Sequence, residues 1–170
     1  MRARFFLLLL LSGCIGHTDT TDDSDGYTLY LVRHAEKQAD QGKDPALNEV
    51  GKYRSAQLAS WFQDKDIREI WSSDYKRSRD TAAPLALSLG LELSLYDPRD
   101  LPALTSKLLE HRKNALIVGH SNTTPDLARL LCQCEIADMD ESEYDRLIAV
   151  TVNGENTSVN TLTQNTLFQP

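Results

Sequence analysis

The stretch Tyr27–Lys37, YTLYLVRHAEK, decides the fold. Tyr27 to Val32 are apolar or β-favouring, the composition of a buried strand. An arginine, a histidine, a carboxylate and a lysine then follow within five residues. A strand that closes on Arg33 and His34 side by side places chemistry at a sheet edge. What it does depends on which residues arrive beside it.

Downstream, short apolar runs alternate with helical patterns. ALNEVGKYRSAQLASWFQDK has Leu47, Val50, Leu58, Trp61 and Phe62 at helical spacing, Asn48 as N-cap and Glu49 at the positive helix end. IREIWSS predicts a second strand ending near Ser72. YKRSRDTAAPLALSLG predicts a helix that bends or restarts at Pro84 and stops at Gly90. LELSLY alternates as a third strand. RDLPALTSKLLEHRKN predicts a helix capped by Asp100, with Leu101, Leu104, Leu108 and Leu109 on one side. It closes on His111, Arg112 and Lys113, cations at the negative end of the helix dipole, which accounts for His111 without chemistry. ALIVG, Ala115–Gly119, has the continuous apolar character of a strand buried on both faces. NTTPDLARLLCQ opens a helix with Thr124 as cap and Pro125 at its first position. RLIAVTVNGENTSVNTLT has β-rich halves around NGEN and predicts a hairpin. No internal repeat is present. Strand and helix alternating from Tyr27 to about Gln133 predict an α/β fold, a three-layer α/β/α sandwich around a mostly parallel sheet.

In open α/β sheets, ligands bind beyond the carboxyl ends of the strands. The first strand ends in Arg33 and His34. The second leads into SSDYKRSR, with Arg77 at the start of the next helix. The fourth runs into His120, Ser121 and Asn122, ahead of a helix N-terminus that favours anions. Each residue alone has a bland explanation, as a hydrogen-bonded structural histidine or a solvated helix cation. Together they predict an anion site, with phosphate favoured because arginines grip it bidentately.

The rest of the chain frames that site. The 170 residues, 41% hydrophobic and 25% charged, suffice for one globular domain plus extensions. Arg2 and Arg4 precede the apolar run Phe5–Leu11, then Ser12, Gly13 and Cys14. At 1.5 Å rise, seven residues cannot cross a ~30 Å hydrocarbon core, so this reads as a secretory signal. Its LSGC ending resembles a bacterial lipobox, which implies cleavage after residue 13 and lipidation of Cys14; Ile15 in the sorting position implies the outer membrane, on its periplasmic or surface face. Residues 14–26, rich in Asp, Thr, Ser and Gly, form a tether in which His17 is solvated. Residues 27–170 form the domain. Net charge is −7, and losing Arg2 and Arg4 leaves 16 cations against 25 anions. So acidic a domain is a poor nucleic-acid binder, and its only membrane link is the lipid. Cys132 and Cys134 remain in an oxidising compartment. Two positions apart on a helix they diverge by roughly 200°, so thiols are expected rather than a bridge. Two thiols with no nearby His are not a zinc site, and no metal or cofactor is expected.

LVRHAEK, SSDYKRSRDTA and IVGHSN resemble the histidine phosphatase superfamily, which includes phosphoglycerate mutases and phosphohistidine phosphatases; EYDRLIAVTV resembles the C-terminal part of its small bacterial members. The resemblance implies a phosphoglycerate mutase-like fold in which His34 attacks phosphorus and forms a phosphohistidine. Arg33, Arg77 and His120 would hold the phosphoryl oxygens, with Asn122 at the substrate. Ala35 stands where the family often has glycine. Larger members take the acid that protonates the leaving oxygen from an inserted segment absent here. Asp97, beyond the third strand, is the candidate acid; Asp100 is engaged as a helix cap, and Glu36 orients the loop. The implied activity is metal-independent hydrolysis of a phosphomonoester, or of a related phosphoryl compound such as phosphohistidine, by a phosphoric monoester hydrolase. The alternatives are a catalytically weak or inactive lipoprotein that binds phosphoryl ligands, and a metallohydrolase, disfavoured because Arg33 and Arg77 would repel a cation.

Overall fold

The structure is a computed structural model that describes residues 26–39 and 42–167. The expected signal peptide, Cys14 and His17 lie outside the described residues. The elements are β1 (Tyr27–Arg33), α1 (Glu49–Trp61), β2 (Glu69–Ser73), α2 (Lys76–Leu89), β3 (Leu93–Tyr96), α3 (Leu101–His111), β4 (Ala115–Gly119), α4 (Thr123–Cys132), β5 (Arg146–Asn153), β6 (Asn156–Thr163) and the single turn α5 (Gln164–Leu167).

One six-stranded sheet runs β3-β2-β4-β1-β5-β6. The first four strands in chain order are mutually parallel, and β5 and β6 add an antiparallel hairpin beside β1. Because side chains alternate across a strand, the sheet has two faces. Leu29, Leu31, Ile117, Ile148 and Val150 meet Leu104 and Leu108 of α3 and Leu127 and Leu131 of α4. On the other face Val32, Leu116, Val118 and Leu147 meet Leu58 and Phe62 around α1 and Ala82 and Leu85 of α2. This is the three-layer sandwich the alternation implied.

The topology also selects the site. From β1 the chain crosses to β2 on one side, and from β4 it crosses to β5 on the other, yet β1 and β4 are neighbours. Adjacent strands whose connections diverge leave a crevice at their carboxyl ends. Arg33 pairs with Gly119 across that boundary, and His34 N donates to Gly119 O at 2.9 Å. The two histidines leave the sheet side by side.

Several local expectations change. Val50 and Leu109 are exposed, and α1 instead buries Gly51, Ser55, Leu58 and Ala59. Small residues on that face bring α1 close to α2. Pro84 neither ends nor restarts α2, which is one helix from Lys76 to Leu89. The carbonyl its missing N–H leaves unpaired, that of Asp80, accepts from Ser55 Oγ of α1 at 3.1 Å. The helix α4 starts at Thr123 after Asn122, not after Thr124. Thr123 Oγ1 accepts from His120 N at 2.9 Å, tying the helix start to the end of β4, and Pro125 sits within the first turn, where no N–H is needed. Cys132 and Cys134 form a disulfide with a Cα separation of 5.1 Å. The helical divergence does not apply because α4 ends at Cys132, and Gln133 is left-handed (φ 52), turning Cys134 back. Asn48 and Asp100 cap α1 and α3 as expected, accepting from Gly51 N and Ala103 N. No helix among the described residues is long and apolar enough to cross a membrane.

Candidate active site

Beyond the carboxyl ends of β1 and β4 lies a cavity of about 370 Å³, lined by Arg33, His34, Lys37, Arg77, Arg99, His120, Asn122 and Glu141 among others. It holds four cationic side chains against one carboxylate, on a chain of net charge −7. The sequence placed Arg33, His34, Arg77, His120 and Asn122 at one sheet edge, and the structure brings all five to this cavity.

Arg33, the last residue of β1, is 2% exposed. A buried guanidinium must be hydrogen-bonded to offset its desolvation. Its Nη1 donates to the carbonyls of Asp140, Glu141 and Glu143 at 3.1, 2.8 and 3.0 Å, its Nη2 to Glu141 Oε2 at 3.0 Å, and its Cζ lies 4.1 Å from the Tyr144 ring centroid. Its Nε, like Nη1 of Arg77, is buried without a hydrogen-bond partner among the described residues. The unpaired Arg33 Nε suits an oxyanion, and Arg77 Nη1, held only by a 3.6 Å ion pair to Asp44 Oδ1, has a hydrogen bond left to give.

His34 is 3% exposed, and its protonation is fixed by its neighbours. Nδ1 lies 2.8 Å from Ala35 O, which can only accept, so Nδ1 carries the proton. The lone pair is therefore on Nε2, to which Arg77 Nε donates at 3.0 Å. Burial, then the charges of Arg77, His120 and Arg33, outweigh the Ala35 bond and lower its pKa from 6.5 to about 3. The ring is neutral across the physiological range. His120 lies at 5.5 Å between ring centroids, its Nε2 2.9 Å from Ser73 Oγ. Ser73 Oγ donates to Ser78 Oγ, so Nε2 of His120 carries a proton and Nδ1 is free. Burial, then Arg77 and Arg33, lower its pKa to about 4.

The carboxylates divide differently from expectation. Asp97 does not line the cavity: it borders a neighbouring groove, where its carboxylate accepts from Arg99 N, Nε and Nη2, bonds that hold its pKa below the usual range. Glu36 is bound by Arg54 at 2.6 to 3.1 Å; burial pushes its carboxyl up, but the Arg54 bonds dominate and leave it lowered. Glu141 is the one carboxylate at the cavity, bridging Arg33 and Ser121. Sequence reasoning missed Glu141, Lys37 and Arg99. Lys37 stood in the opening stretch, and Arg99 follows a strand end, so the same edge rule could have found both. Among the described residues, no three His, Cys, Asp or Glu side chains converge to hold a metal ion.

Residues 29–99 match the histidine phosphatase superfamily (branch 1). A probable phosphoglycerate mutase, GpmB, from Erwinia tasmaniensis is 35% identical over 91 residues, 50% of this chain and 41% of that protein. The chain thus matches less than half the length of that relative. The fold is shared with the protein histidine phosphatase SixA, solved with tungstate (TM-score 0.69, 20% identity, 82% of this chain and 99% of that one). A second neighbour is a putative alpha-ribazole-5'-P phosphatase from Escherichia coli (TM-score 0.64, 15% identity, 82% and 97%). The family match is confined to residues 29–99, whereas the shared fold extends over 82% of the chain.

Proposed function

We propose that this domain is a metal-independent phosphatase that hydrolyses a phosphomonoester, or a related phosphoryl compound such as phosphohistidine, through a phosphohistidine on His34. The carrying observation is the state of His34: a neutral ring whose Nε2 lone pair faces Arg77 in a cationic cavity. A histidine attacks phosphorus only when neutral, and the cations that keep it so also neutralise the transferring phosphoryl group. The Nε2 lone pair forms the N–P bond as the ester P–O bond breaks. Arg77 and the unpartnered Nε of Arg33 take phosphoryl oxygens, with His120 beside them. Phosphoryl transfer needs mainly positioning and electrostatics, which this set supplies. Largely exposed Glu141 and Arg99 border the cavity, so water reaches the phosphoenzyme and favours hydrolysis over mutase chemistry. The tungstate-bound SixA structure shares the fold.

The test is turnover of p-nitrophenyl phosphate by residues 27–170, with and without chelator, beside His34→Ala. Chelator-resistant turnover absent from the variant is expected, with an acid-labile, base-stable phosphoenzyme on rapid quench. Saturable phosphate binding without turnover would leave a binding protein, and chelator-sensitive turnover a metallohydrolase. For the whole chain we infer export and lipid anchoring at Cys14, supported by the Arg2–Cys14 pattern. Full-length protein should partition into detergent and Cys14→Ser should not; equal partitioning would overturn the anchor.

A further inference from the structure

The phosphatase reading leaves one group unassigned, the donor that protonates the leaving oxygen, and its assignment rests on that reading. An alkoxide is a poor leaving group, so an ester of an ordinary alcohol needs a proton delivered as its P–O bond breaks. Glu36 is committed to Arg54 and Asp97 to Arg99 outside the cavity. Glu141 alone among the carboxylates of the described residues lines the cavity that holds His34. Its Oε2 accepts from Arg33 Nη2 at 3.0 Å, its Oε1 accepts from Ser121 Oγ, and its backbone carbonyl accepts from Arg33 Nη1 at 2.8 Å. The backbone is thus pinned beside the site while the side chain stays 82% exposed. Such a carboxyl can swing and can reload from solvent.

We propose that Glu141 is the general acid, held on Arg33 until a phosphoryl group arrives and releases it. Arg33 Nη2 can serve either the Glu141 carboxylate or a phosphoryl oxygen. A dianion that takes this donor frees the Glu141 side chain from Arg33, so that its carboxyl can turn to the leaving oxygen. The steps then balance. His34 Nε2 forms the N–P bond, the P–O bond breaks with its electron pair on the leaving oxygen, and the Glu141 proton moves to that oxygen. Water next attacks phosphorus, its proton passes to the Glu141 carboxylate, and the N–P pair returns to Nε2. The substrate class widens from activated phosphoryl compounds to esters of ordinary alcohols.

Glu141→Gln keeps the size and the contact to Ser121 but carries no transferable proton. Turnover of an alkyl phosphate such as glycerol 2-phosphate and of p-nitrophenyl phosphate, whose leaving group needs no proton, is compared in wild type and variant. General acids contribute about 10²–10⁴-fold, so the alkyl ester should slow by about 100-fold or more and the aryl ester by less than about tenfold. The alkaline limb of kcat on the alkyl ester should also disappear from the variant. Equal losses on both esters, no loss on the alkyl ester, or a wild type active on the aryl ester alone would overturn Glu141 as the acid and leave the phosphatase reading standing on its His34-dependent aryl turnover. A wild type inert to both esters would overturn both.

Discussion

At the scale of single residues, one arginine performs two tasks that no lysine can combine. Arg77 directs Nε at the His34 lone pair while Nη1, 3.6 Å from Asp44 Oδ1, makes no hydrogen bond among the described residues. Lysine brings one compact ammonium and cannot present a fork to two acceptors at once. Arg77→Lys should therefore lower kcat/KM on p-nitrophenyl phosphate by about 10- to 100-fold, the loss of about 1.4 to 2.7 kcal/mol of transition-state stabilisation, with thermal stability nearly kept. Wild-type kcat/KM would remove Arg77 from the chemistry. Asp97→Asn should change kcat by no more than about twofold, because a general acid would be worth far more and this carboxylate, bound to Arg99, does not line the cavity. A hundredfold fall on an alkyl ester would restore Asp97. The sequence exposed His34, Arg33, Arg77 and His120 because each sits at the last residue of a strand, just beyond one, or at the start of a helix, where local pattern gives position. Glu141 lies in the irregular segment between α4 and β5, which has no period to read, and it is held at the site by long-range bonds from Arg33 and Ser121.

At the scale of elements, α1 is positioned by an absence. Gly51 lies in its first turn, where glycine costs roughly 1 kcal/mol against alanine. A Cβ there would fall 2.2 Å from Glu36 O and 2.9 Å from Glu36 N. The helix therefore presses on the backbone two residues beyond His34, and Asn48 N donates to Glu36 O at 2.9 Å to hold the contact. Gly51→Ala should destabilise by about 1–3 kcal/mol despite its better helix propensity, and should lower kcat by moving the His34 loop. Unchanged melting and turnover would show that the loop tolerates the shift. This face was illegible in advance: the apolar spacing put Val50 inward, whereas Gly51 and Ser55 are buried because closeness, not hydrophobicity, is what α1 supplies. Pro84 misled in the same way, since the long-range bond from Ser55 that rescues Asp80 O is invisible to local pattern. The Cys132–Cys134 disulfide was missed because helical divergence was carried one residue beyond the helix. Closing so short a loop restrains the unfolded chain by roughly 1.6 kcal/mol. Reduction should lower Tm by about 5 °C and leave turnover intact. Loss of activity on reduction would instead tie the bridge to the following segment that carries Glu141.

At the scale of the whole molecule, the site sets the acid limit of the fold. The three-layer architecture followed from alternating strand and helix, and it brings buried His34 and half-buried His120 together at the β1–β4 boundary. Both pKa values are lowered, from 6.5 to about 3 and about 4, by burial first and by the arginines next. The unfolded chain takes up protons as pH falls through 6.5, while the folded chain refuses them until pH 4 and below. The stability of these neutral rings is thus full above pH 6.5 and is lost on acidification across the window from 6.5 toward 3. Each fully responding histidine contributes a slope of about 1.4 kcal/mol per pH unit, less for His120, which is only partly buried. Urea unfolding of the wild type should show stability falling between pH 7 and pH 5, before carboxylates titrate appreciably. The His34→Gln, His120→Gln double variant should fall much less steeply over the same interval. Inorganic phosphate or tungstate, bound by the folded cavity alone, should raise the wild-type midpoint and not that of the double variant. Parallel slopes for the two proteins would mean that the histidines are protonated in the folded state near neutral pH, and a protonated His34 has no lone pair with which to attack phosphorus.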